Sequence, residues 1–311
     1  MAYSGGLMIL RRIPILQVLL IAVSVLVVSL VGPGPAWAAA TQSVAKQSVP
    51  EQSVAPQVAP DSAAPDSVTQ PSVANLFEEL EELYNQAIAA TNEQDFATAE
   101  TYWTKMLDRF PYNPAVWSNR GNSRVSQNKL DLAIADYQKA IELAPDAPDP
   151  YLNLGAALEG IGRWDEAIAN YDHVLELDPE DPLAYNNRGN AKTGKGEWAE
   201  AIEDFQHASK LAPDFAFARA NEALAFYQLG ETDKATQMMY GLVRKYPKFA
   251  DMRAALTAAL WVQGKRGEAE SEWVSAVALD SRYKDVEWLK TVRRWPPDLV
   301  AAMDKFLSLK A

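Results

Sequence analysis

Residues 148–181 read PDPYLNLGAALEGIGRWDEAIANYDHVLELDPED, and residues 182–215 read PLAYNNRGNAKTGKGEWAEAIEDFQHASKLAPDF. Laid over each other, the stretches agree at Tyr151 and Tyr185, Asn153 and Asn187, Gly155 and Gly189, Ala167 and Ala201, Tyr171 and Phe205, and Pro179 and Pro213. The register extends outward. Proline falls at 111, 145, 179, 213 and 247, and alanine at 99, 133, 167, 201, 235 and 269, each 34 residues after the last. With proline at position 32, frames cover 80–113, 114–147, 148–181, 182–215, 216–249 and 250–283. Position 8 holds Ala87, Gly121, Gly155, Gly189, Ala223 and Thr257, and position 24 holds Trp103, Tyr137, Tyr171, Phe205, Met239 and Trp273. Small residues at a crossing let two antiparallel helices approach within about 8–10 Å, while the large side chain fills the gap towards the next pair. The proline stops the second helix because it cannot continue the hydrogen-bond ladder.

Together with Trp117, Tyr151 and Tyr185 at position 4, these registers resemble the tetratricopeptide-repeat (TPR) family over residues 80–283. The resemblance implies an all-α fold: a right-handed superhelix, or α-solenoid, of about six helix pairs that binds other proteins and catalyses nothing. The outer frames depart from the pattern, with Leu83 and Gln86 in the first, Arg219 and Glu222 in the fifth, and Arg253 and Ser281 in the sixth. Terminal repeats commonly vary because one face meets water.

After Tyr283 the period fails. Tyr283 to Leu289 opens a helix expected to end at Trp295-Pro296-Pro297, and Asp298 starts a last one with Leu299, Val300, Met303, Phe306 and Leu307 at three- and four-residue spacing. Such a stripe can cover the core that the sixth frame exposes, so residues 284–311 read as C-terminal capping helices. The cap region is basic, with Arg282, Lys284, Lys290, Arg293, Arg294, Lys305 and Lys310 against Asp285, Glu287, Asp298 and Asp304. It is either a solubilising face or a docking patch for an acidic partner or lipid surface.

Position 6 holds Asn85, Asn119, Asn153, Asn187 and Asn221, with Asn122 and Asn190 at position 9 and Ser118 and Asn186 at position 5. The TPR resemblance implies that position 6 faces the inner groove. A carboxamide both donates and accepts, so each asparagine could hold the N–H and C=O of an extended peptide, about every third peptide residue. The alternative is that these asparagines bond other side chains. Position 5 carries no lysine in any frame, so the carboxylate clamp of TPR chaperone adaptors is not expected.

The formal net charge of −12 argues against nucleic acid as a partner. With no cysteine, the chain has neither a disulfide framework nor a thiolate metal site or nucleophile. His173 and His207, at position 26 of neighbouring frames, would lie about 10 Å apart, too far to share a metal ion. No phosphate-binding or nucleophile motif is present, so neither enzymatic activity nor a cofactor is expected.

Arg11 and Arg12 precede an apolar stretch at Ile13–Val31, then Gly32-Pro33-Gly34-Pro35 and Ala36-Trp37-Ala38. Residues 1–38 read as an export signal cleaved after Ala38, or else as a membrane anchor. Residues 39–75 repeat Ser, Val, Ala, Pro and Gln and read as a disordered linker. The Ala-Trp-Ala site and the tail Arg282-Tyr283 to Pro297 look like those of lumenal TPR proteins in cyanobacteria and chloroplasts. That similarity implies a periplasm or thylakoid lumen, and a part in assembling or maintaining envelope or photosynthetic membrane complexes. The other reading is a structural envelope component, anchored by residues 13–31 and docked through its basic cap.

Overall fold

Proline at the first position of a helix costs nothing, since that N–H has no partner inside the helix. Pro114, Pro148 and Pro182 each open a helix in this way, and the residue before them often supplies the cap. Asn113 Oδ1 accepts from the Ala115 and Val116 N–H groups, and Asp181 Oδ1 from those of Leu183 and Ala184. The computed structural model describes residues 73–308, which belong to one compact unit. The export signal or anchor read at 1–38, and nearly all of the linker, lie outside the described residues.

Among the described residues every regular element is helical. The six pairs are α1 (Val73–Asn92) with α2 (Phe96–Arg109), α3 (Pro114–Ser126) with α4 (Leu130–Leu143), α5 (Pro148–Gly160) with α6 (Trp164–Leu177), α7 (Pro182–Lys195) with α8 (Trp198–Leu211), α9 (Ala216–Gln228) with α10 (Thr232–Lys245), and α11 (Ala250–Val262) with α12 (Arg266–Leu279). Each helix packs mainly on the ones before and after it, the arrangement of the expected α-solenoid. α1 begins at Val73, inside the range read as linker.

Two devices shape the repeats. Between the helices of repeats three to six, Gly162, Gly196, Gly230 and Gly264 hold φ near +80°, whereas in the first two repeats Gln94 and Asn128 take that left-handed position. Within repeats two to four the glycine at position 8 touches the ring at position 24. A Cβ on Gly121, Gly155 or Gly189 would lie 2.6, 2.5 or 2.6 Å from a ring carbon of Tyr137, Tyr171 or Phe205. All three rings are fully buried.

The departure at Arg253 has a structural reason. Trp117 Nε1 donates to the Pro111 carbonyl at 2.8 Å, tying position 4 to the end of the previous repeat, and Arg253 Nε makes the same bond to Pro247 O at 2.8 Å. Arg253 also pairs with Glu272.

The tail differs from its sequence reading. A 3-10 turn (Ser281–Lys284) precedes a short α13 (Val286–Thr291), which stops well before the prolines. The Arg293 and Trp295 N–H groups fold back onto the carbonyls of Trp288 and Leu289, and Arg294 sits at φ +53°, so a helix cannot continue. The last helix, α14 (Pro297–Ser308), buries Leu299, Met303 and Phe306, with Phe306 edge-on to Trp261 and Trp273 of the sixth repeat.

Candidate peptide-binding face

Successive first helices (α3 with α5, α5 with α7, α7 with α9) approach one another more closely than successive second helices do, so the first helices line the inside of the curve. α14 packs on α11 and α9, both first helices, and therefore lies on that inner face. The tail is thus not only an end cap. It runs back across the groove of the later repeats.

The asparagines divide accordingly. Asn85 on α1 is exposed, and Asn119 and Asn122 on α3 are half-buried, with Asn122 Oδ1 accepting from the Tyr137 hydroxyl at 2.7 Å. Asn153, Asn187 and Asn221 are buried. In repeats four and five the amides bond each other: Asn221 Nδ2 donates to Asn186 Oδ1 at 3.1 Å and to Asn190 Oδ1 at 2.9 Å, and Asn186 Nδ2 to Asn187 Oδ1 at 3.2 Å. Of the two readings of this row, peptide-facing or bonded to other side chains, the early members are accessible and those of repeats four and five bond each other. Two polar atoms on the inner helices, Asn187 Nδ2 and Ser118 Oγ, are buried without a partner among the described residues.

The segment between α13 and α14 is anchored on the later repeats and on the end of α5. Arg293 reaches back to Asp251 at the start of α11, with Nε 2.8 Å from Oδ1 and Nη2 against Oδ2. Tyr283 Oη and Trp295 Nε1 donate to the same carboxylate oxygen at 3.0 and 2.9 Å. Arg294 points the other way, to the C-terminal end of α5: its Nη2 donates to the Gly160 carbonyl at 3.1 Å, its Nη1 lies 3.4 Å from Glu159 Oε1, and its guanidinium stands 5.1 Å from the Trp164 ring centre. Asp298 N–H donates to Gln228 Oε1 at 3.0 Å, fixing the start of α14 to α9. Arg293, read as part of an exposed basic cap, solubilising or docking, is instead only 8% exposed and paired with Asp251. Nothing local to the tail signals this, because its partner lies 42 positions away and a basic tail on an acidic chain reads first as surface.

Glu159 is the other buried acid here, and its Oε2 accepts from the Tyr171 hydroxyl at 3.3 Å. Burial pushes its carboxyl up to about 7, against the opposing pull of Arg294 and the Tyr171 hydrogen bond.

Ion pairs between the helices of a repeat add to what the sequence reading names. Arg120 grips Asp136 with Nε–Oδ2 3.0 Å and Nη2–Oδ1 2.7 Å, and two repeats later Arg188 grips Asp204 at 3.0 and 2.6 Å. Their signal in the sequence is arginine at position 7 with aspartate at position 23 in both frames. The two histidines each pack on the position-4 tyrosine of their own repeat, His173 4.3 Å from Tyr151 and His207 4.6 Å from Tyr185 between ring centres. Among the described residues no group of three or more His, Cys, Asp or Glu is placed to hold a metal ion, and no helix is long and apolar enough to cross a membrane.

Comparison with known proteins agrees with this architecture. Residues 121–162 and 160–194 match a family model described as TPR repeat, and residues 182–215 and 221–248 match two described as tetratricopeptide repeat. Among solved structures, that of pilF from Pseudomonas aeruginosa is similar, with 18% identity, a TM-score of 0.57, and coverage of 68% of this chain and 98% of that one. The Cut9–Hcn1 hetero-tetramer of the APC/C matches at 20% identity and a TM-score of 0.58, over 71% of this chain and 46% of that one. MamA is 26% identical over 52% of this chain and 95% of its own, with a TM-score of 0.46. None of the curated proteins matches the chain. The repeats of the central chain are therefore tetratricopeptide repeats. None of these matches carries the resemblance to lumenal proteins of cyanobacteria and chloroplasts.

Proposed function

We propose that this chain, built on tetratricopeptide repeats that generally mediate protein–protein contacts, is a non-catalytic scaffold that holds an extended segment of a partner protein along the inner face of its first four repeats. The observation that carries the reading is the early part of the position-6 row on this face, where Asn85 is exposed and Asn119 half-buried. A carboxamide on an accessible inner face can both donate to a peptide carbonyl and accept from a peptide N–H.

The export signal read at residues 1–38 supports a scaffold working outside the cytoplasm, in a periplasm or thylakoid lumen, and helping envelope or photosynthetic complexes to assemble. A tagged chain captured from native membranes, compared with a variant carrying Asn85, Asn119 and Asn153 changed to Ala, tests the groove. Partners lost from the variant support it. Partners retained in full rule out the asparagine row as the working surface.

A further inference from the structure

Arg293 and Arg294 hold the same segment with very different grips. Arg293 is buried against a carboxylate that also receives Tyr283 and Trp295. Arg294 keeps 34% of its side-chain exposure, lies 3.4 Å from Glu159, and sits in a left-handed backbone conformation that non-glycine residues disfavour. The segment has other anchors on either side of it, Arg293 on Asp251 before it and Trp295 on Asp251 and the Asp298 N–H on Gln228 after it.

The place that Arg294 fills is nonetheless well built. Glu159 is buried, held by Tyr171, and paired with no other cation among the described residues. Trp164 is fixed from behind by the backbone of Gly194, where an added Cβ would fall 2.7 Å from the indole. The Gly160 carbonyl at the end of α5 supplies a further acceptor. A buried carboxylate, an outward carbonyl and an indole face together suit a flat, forked cation that can donate sideways while it stacks, which a guanidinium does and an ammonium does not.

We infer that Glu159, the Gly160 carbonyl and the Trp164 ring form a guanidinium-binding site, occupied in the free chain by Arg294 and open to an arginine of the partner segment that replaces it. The inference rests on the groove reading for its ligand, and commits that segment to carrying an arginine where it meets the end of α5. The chain's net charge of −12 favours the approach of such a basic segment.

The test needs no partner protein. N-acetyl-L-arginine amide is titrated, at a pH above the Glu159 titration so that the carboxyl is ionised, into the full chain carrying R294A while the Trp164 indole N–H resonance, assigned with W164F, is followed by NMR. N-acetyl-L-lysine amide serves as the comparison. Saturable shifts with the arginine amide, about tenfold weaker with the lysine amide, about tenfold weaker in the wild type where Arg294 competes, and lost in R294A/E159Q, support the site. No saturable shift in R294A, equal response to both amides, or persistence in R294A/E159Q overturns it. Circular dichroism establishes that R294A is folded, and R294Q replaces it if not. Because no partner is present, failure here leaves the asparagine groove standing, and failure of the capture experiment leaves this site standing.

Discussion

Gly155 faces the Tyr171 ring so closely that a single added carbon would lie 2.5 Å from Cε1. Tyr171 is fully buried and bonded to Glu159, so it has nowhere to move. We expect G155A to destabilise the chain by about 1–3 kcal/mol, as overpacking does, despite alanine's better helix propensity. Gly241, in α10 with nothing within 4 Å of where a Cβ would stand, is the control: G241A gains up to about 1 kcal/mol. Urea midpoints of the two variants should move in opposite directions.

The left-handed turn position offers a second pair. Gln94 holds φ +62° where later repeats use glycine, and Gly162 holds φ +77°. Q94G should raise stability by about 1 kcal/mol through relief of the backbone, and G162A should lower it by a similar amount. Thermal unfolding reads both changes.

Asp204 binds Arg188 and Lys192 with only 5% of its side chain exposed, while Asp165 pairs with Lys195 at 83% exposure. D204N should cost about 3 kcal/mol, since it takes the buried carboxylate from Lys192 and leaves Arg188 only the more exposed Asp172. D165N should cost less than about 1 kcal/mol. Near-equal losses in chemical denaturation would contradict this ranking.

Glu159 sets a pH dependence. Its carboxyl is raised from 4.5 to about 7 in the folded chain, first by burial, so between those values the folded state binds the extra proton. Its contribution to stability is therefore present at pH 5 and declines as pH rises towards about 7. E159Q should remove about 2 kcal/mol of that decline between pH 5 and 8, seen as a difference in urea midpoints against wild type. Arg294 lowers this carboxyl's pKa, so R294A should move the Glu159 titration, followed by carboxyl-carbon NMR, above about 7.

The solenoid was legible because each repeat restates the same packing problem at a fixed spacing, and Gly155 against Tyr171 recurs as Gly121 against Tyr137 and Gly189 against Phe205. The site was less legible because it depends on contacts without a period. The residue types of the asparagine row were evident. Its later members are tied up in amide–amide bonds such as Asn221 to Asn186, and the tail beside them is held by Arg293 and Arg294, whose partners lie 42 and 135 residues away. No local pattern encodes such a pairing. Position 6 also shows how one polar register can be accessible in one repeat, at Asn119, and bonded to a neighbour's side chains in another, at Asn221.

A chain of stacked helix pairs ordinarily unzips one pair at a time, since each pair knows only its neighbours. Here the segment that links Asp251 to Glu159 joins the third repeat to the sixth directly. While Arg294 is seated, loss of any pair between them must break that link as well, so repeats three to six of the free chain should melt together, while the first two are free to fray alone. Amide hydrogen exchange would display the boundary as a step in protection between α4 and α5, and folding of the later block would have to wait for the synthesis of its last residues.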